Sequence, residues 1–175
     1  MSDIPKSERS QSRLRAQDKA YDIRKRIIAE LMASFAYSQK KQEKHIKAMT
    51  AHIKDQETKE ATAAKIRELE EDFDSWFIKR ERDKVADLCE GITRHLRMAN
   101  TIWPDYMVEF TERRLELDRA LECCNALQDE LNYICQVLPA DKNKYTAIVL
   151  EVEEEFNWIK SLRQSDNRFL KHLKG

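Results

Sequence analysis

Apolar residues recur along this chain at helical spacing. Between Pro104 and Pro139 they fall at Phe110, Leu117, Leu121, Cys124, Leu127, Leu131, Ile134 and Leu138. After an opening step of seven, the steps are three or four, a period near 3.5 that predicts one amphipathic helix over 105–138. Beyond Pro139, Tyr145, Ile148, Val152, Phe156, Ile159 and Leu162 continue the pattern. They predict a second helix over 141–171, with Asp141 as its N-cap. The connection between the two is short, so they should pack antiparallel.

Upstream, Ile66, Leu69, Phe73, Phe77, Val85, Leu88, Ile92, Leu96, Ala99 and Ile102 mark a helix over 60–103 that ends before Pro104. Its middle, KRERDK (79–84), is fully charged and reads either as a solvated turn of one long helix or as a kink. Nearer the N-terminus, Tyr21, Ile27, Ile28, Leu31, Met32 and Phe35 form a stripe that weakens into Ile46, Met49 and Ile53. We read 13–54 as the first helix, with 37–54 open as a separate one. DQETKEAT (55–62), without a large apolar residue, is the expected first connection. The predicted fold is all-α: an antiparallel up-down four-helix bundle with long helices and a basic N-terminal extension. Residues 1–12 are expected to be a disordered tail and 13–175 a single domain.

Composition narrows the picture. Two glycines in 175 residues are too few for the turns of a meandering sheet or a phosphate-cradling loop. MSDIPKSERSQSRLR has no apolar signal region, and no apolar run is long enough to span a bilayer, so a cytoplasmic, membrane-free protein is expected. Cys89, Cys123, Cys124 and Cys135 form no CxxC pair and read as small hydrophobes.

The net charge is zero, yet charge is segregated. Residues 1–54 hold 13 Lys/Arg against 6 Asp/Glu, whereas 104–138 hold 3 against 8 and 160–175 hold 5 against 1. The basic N-terminal segment carries Arg13, Arg15, Arg24, Lys25, Arg26, Lys40 and Lys41. The C-terminal one carries Lys160, Arg163, Arg168 and Lys171. In an up-down bundle the first and fourth helices are neighbours, so these segments can form one positive face suited to phosphates. Alternatively, the basic helices pair with the acidic ones within the bundle.

Catalytic patterns are missing. No HExxH, GxSxG or phosphate-loop sequence occurs, and no histidine follows a glutamate at the spacing of a bundle di-metal site. His45 and His52, seven apart, lie in an exposed basic context. No cofactor is expected. Trp76, Trp103 and Trp158 suit packing or interfaces, with base stacking as the alternative. Two stretches stand out. In one, Arg113 and Arg114 interrupt an acidic helix start; they either pair with Glu109, Glu112, Glu116 and Asp118 or face a partner. In the other, IKSLRQSDNRFLKHLK (159–174), Ser-Asp-Asn interrupts a cationic helix end, and helix-dipole chemistry explains the cations but not this cluster.

At these stretches the chain resembles the four-helix-bundle accessory proteins of diversity-generating retroelements, the accessory variability determinant family. The likeness rests on Arg113-Arg114, Asp118, Ala120, Cys124, Leu127 and Glu130-Leu131, continues through VLPADKNKY (137–145) and closes with IKSLRQSDNR (159–168). It implies a non-catalytic homo-oligomer, a barrel-like pentamer in the family, that binds a reverse transcriptase and its template RNA and cDNA to support mutagenic retrohoming. By matching position it implies Arg113, Arg114, Lys160, Arg163 and Arg168 as nucleic-acid or polymerase contacts. Family members are markedly basic, and this chain departs from that. The rival reading is a structural or assembly bundle protein without nucleic-acid binding.

Overall fold

A computed structural model describes residues 12–32, 35, 38–138 and 140–174, with side chains from residue 15 onward. Of the expected tail (1–12), residues 1–11 lie outside the described residues, as does Pro139, while Ser12 already opens the first helix. Five α-helices follow one another: α1 Ser12–Glu30, α2 Gln39–Met49, α3 Gln56–Thr101, α4 Met107–Val137 and α5 Lys142–Ser165, with a 3-10 helix over Asp166–Lys171. Among the described residues, no helix is long and apolar enough to cross a membrane.

The long antiparallel hairpin of α3 and α4 is the spine. The α5 helix packs on α4, and α1 fills the remaining side against both α3 and α5. Core positions of α4 match the periodicity: Phe110, Leu117, Cys124, Leu127, Leu131 and Ile134 are buried. On α5, Tyr145, Ile148, Val152, Ile159 and Leu162 are buried too. KRERDK does not break α3, which runs 46 residues without interruption. Lys84 from that stretch pairs with Glu130 on α4. Glu81 lies buried beside Glu130. Burial and this neighbour raise the Glu81 carboxyl above its ordinary range. Glu81 Oε2 and Glu130 Oε1 are buried without a hydrogen-bond partner.

Three predicted boundaries change. The first helix is not continuous over 13–54: α1 ends at Glu30, and a separate α2 covers Gln39–Met49. Phe35, between them, takes φ 45°, a left-handed conformation costing a non-glycine residue about 1–2 kcal/mol. Its ring is fully buried, and its carbonyl accepts a 2.8 Å hydrogen bond from the Tyr145 hydroxyl of α5. Burying a large aromatic ring contributes enough to offset that strain. The second correction concerns 55–62, which is helix rather than connection. Asp55 caps α3 by accepting from the Thr58 N–H at 2.8 Å, and the turn instead occupies 50–55. The third is the final helix, which tightens from α to 3-10 at Asp166 rather than continuing as α to 171.

Candidate nucleic-acid interface at the bundle end

The two unusual sequence stretches meet in space. Arg113, expected as a partner contact or paired with nearby carboxylates, is instead fully buried. Its Nε donates to Asp166 at 2.5 Å, and its Nη1 donates to the carbonyls of Ala99 and, at 3.1 Å, Ile102. Those carbonyls end α3, where no further helical turn can satisfy them. One guanidinium therefore ties the end of α3 to α4 and to the C-terminal 3-10 helix. Arg113 is removed from the contact set: a side chain with no exposed surface cannot touch a partner. Its neighbour Arg114 donates to Asn167 at 2.7 Å. The Arg-Arg pair thus reads the Asp-Asn pair, which is the physical reason for the Ser-Asp-Asn cluster.

With the 3-10 helix anchored, Phe169 is buried edge-on against the Trp103 ring at 5.3 Å. Further on, the Lys174 N–H donates to the Asp105 carbonyl at 2.9 Å, and the Lys174 ammonium lies 5.6 Å from the Tyr106 ring. Glu109 accepts from the Asp105 and Tyr106 N–H groups, fixing the start of α4. The resulting end surface carries Trp103 (63% exposed), Tyr106, Met107, Val108 (71%) and Leu170. Arg168, 5.2 Å from the Phe169 ring, and exposed Lys171 flank it. Exposed aromatic rings bordered by cations are the elements of a single-strand stacking platform.

The expected N-terminal positive face is largely neutralised. Across the α1–α5 seam Arg26 pairs with Glu151, and Lys19 with Glu154 at 3.4 Å. Towards α3, Arg24 lies 3.6 Å from Glu90, while Lys25 pairs with Asp22 on its own helix. Arg15 stacks on Trp158 at 4.0 Å, and Lys41 donates to the Ala140 carbonyl. Arg163 pairs with Asp118. Lys40 and Lys160 are exposed on α2 and α5. The Arg13 side chain lies outside the described residues. Sequence reasoning missed a second feature, an open groove of about 330 Å³ between α1 and α3 whose lining includes Tyr21, Arg94, Arg97 and the Arg24–Glu90 pair, a net cationic set. Arg94 and Arg97 stand three apart on one helix face, a spacing visible in the sequence but hidden in an acidic segment.

Burial pushes the Cys89 thiol up to about 12 and raises Cys124 and Cys123 as well, the reverse of nucleophile activation. Among the described residues no group of three or more His, Cys, Asp or Glu could hold a metal, and His45 lies 3.3 Å from Glu70. Glu155 is fully buried, with neither carboxyl oxygen hydrogen-bonded. Desolvation raises it to about 8. No protein-family model, curated protein or solved structure matches the chain.

Proposed function

We propose that this protein is a non-catalytic, oligomeric adaptor that binds a retroelement reverse transcriptase and its template RNA or cDNA, in the manner of the diversity-generating retroelement accessory proteins it resembles. The observation that carries this reading is the bundle end. There Trp103 and Tyr106 stand exposed beside Arg168, Lys171 and Lys174, on a surface braced by the buried Arg113–Asp166 pair. Rings give sequence-tolerant stacking and the cations neutralise phosphates, so the platform suits a flexible single strand.

The test is fluorescence anisotropy with single-stranded RNA over a salt series. Wild type should bind at low salt and weaken steeply as salt rises. Trp103→Ala should weaken binding by roughly 5- to 150-fold, the 1–3 kcal/mol of one stacked base. Arg168→Ala with Lys171→Ala should flatten the salt slope by about two phosphates. Absence of binding at about 50 mM salt rejects the nucleic-acid part. Failure to co-purify with a reverse transcriptase encoded beside it rejects the polymerase part.

The internal ion pairing of α1 favours the second reading, a structural or assembly bundle protein. Under that reading, RNA binding is absent and the bundle-end substitutions change nothing but local packing.

A further inference from the structure

The seam between α3 and α4 carries a row of polar side chains that neither the apolar core nor the bundle end uses. His95 of α3, its side chain 13% exposed, brings Nδ1 to 2.7 Å from Oε2 of buried Glu116 on α4. The second oxygen of Glu116 accepts from Arg119, about one turn further along α4. On the other side of the imidazole, Arg94 Nη2 lies 3.4 Å from Nε2. The order across the seam is guanidinium, imidazole, carboxylate, guanidinium.

Donor chemistry assigns the tautomer of the ring. An arginine can only donate, and an ionised carboxylate can only accept. Burial opposes the ionised form of Glu116, but hydrogen bonds from His95 and Arg119 outweigh it and hold the carboxyl below its ordinary range. Nδ1 therefore carries the proton that Glu116 accepts, and Nε2 keeps its lone pair towards Arg94. A proton on Nε2 as well would set N–H against N–H. One nitrogen held by a carboxylate and the other bare is the arrangement of an oriented nucleophile. The contact to Arg94 is longer than an ordinary hydrogen bond, so an incoming group displaces it at little cost. Arg94 and Arg119 are both exposed, and Arg94 pairs with no carboxylate among the described residues.

We propose that His95 is a phosphoacceptor whose Nε2 takes a phosphoryl group from a small acyl phosphate. Nε2 attacks phosphorus, the P–O bond to the acyl group breaks, and a carboxylate leaves with that electron pair. Nothing is oxidised or reduced, and the Nδ1 proton stays hydrogen-bonded to Glu116. The phosphoryl oxygens then meet the Arg94 guanidinium, a charge-assisted pairing that a bare surface histidine lacks. His95 alone forms a bond; Glu116 and Arg94 position the ring and the incoming group.

The inference does not rest on the adaptor reading, and its assay contains no RNA. The full chain is incubated with acetyl phosphate and mapped by mass spectrometry at alkaline pH, where phosphohistidine survives. Wild type should gain one acid-labile phosphoryl group, on His95. Exposed His52 and His172 are internal controls, as is exposed His45, which approaches Glu70 only to 3.3 Å. His95 should be labelled about tenfold faster than any of them, although it is the least exposed. Arg94→Ala, at an exposed position, should slow His95 about tenfold and leave the other three unchanged. Glu116→Gln offers a donor as well as an acceptor, so imidazole nitrogen shifts should report mixed tautomers and His95 should be labelled more slowly. Wild type without a phosphoryl group overturns the proposal, as does His95 labelling no faster than His52 or unaffected by Arg94→Ala. An unmixed tautomer in Glu116→Gln overturns the positioning role of Glu116.

Discussion

Replacing Arg113 with Met removes one guanidinium and leaves Asp166 buried without its partner, while the Ala99 and Ile102 carbonyls lose a donor. Both ends of the pair have no exposed surface, so water cannot substitute. Breaking a buried pair from one side costs about 3–5 kcal/mol, and a stranded carbonyl adds to that by roughly 1–3 kcal/mol. The methionine stem recovers part of the packing, so about 4 kcal/mol is expected for Arg113→Met near neutral pH. Asp166→Ala should cost as much, because it strands the arginine's permanent charge in a place with no exposed surface. The double variant Arg113→Met/Asp166→Leu should recover most of the loss, because no buried charge remains. Urea titrations of the four proteins provide the cycle, with midpoint shifts read at constant slope. A cost below about 1 kcal/mol for either single variant would refute the brace and return Arg113 to the surface.

Glu155 sets a pH dependence of the native protein. Its folded value, about 8, lies above the ordinary carboxyl range, so the folded state holds a proton that the unfolded chain releases. Its contribution is fully present at low pH and is lost between about pH 4.5 and 8, at up to about 1.4 kcal/mol per unit. Glu155→Gln should remove that slope in urea midpoints, and an unchanged slope would count against a buried neutral carboxyl. At Gly91 a methyl group would meet Cys123 Sγ at 2.7 Å. Gly91→Ala should therefore forfeit its helical gain alone but stabilise by up to about 1 kcal/mol beside Cys123→Ala, as checked by thermal melts. Arg94→Ala with Arg97→Ala should lower the salt slope of RNA binding if a strand runs from the bundle end along the α1–α3 groove; an unchanged slope confines the contact to the bundle end.

Local pattern was sufficient where a helix has neighbours along its whole length. The α4 and α5 stripes bury as their spacing requires, because a 3.5- to 3.6-residue period in a flanked helix has one way to hide its apolar side. The same rule fails in the N-terminal part of α3, where Leu69, Phe73 and Trp76 have the correct period yet stay exposed. Exposure there is decided by tertiary packing, which periodicity does not encode. The break at Phe35 is also tertiary, since nothing within 31–38 forces a left-handed residue until the Tyr145 hydroxyl and the core reward it. At the bundle end the oddity of Arg-Arg and Ser-Asp-Asn was visible in the chain, but their meaning was not. Fifty-three residues separate Arg113 from Asp166, and only the fold brings the charges together in a place where neither can find water. Sequence alone determined that the chain is helical, amphipathic and charge-segregated. Tertiary structure decided which charges are spent inside, and therefore which remain on the surface for a partner.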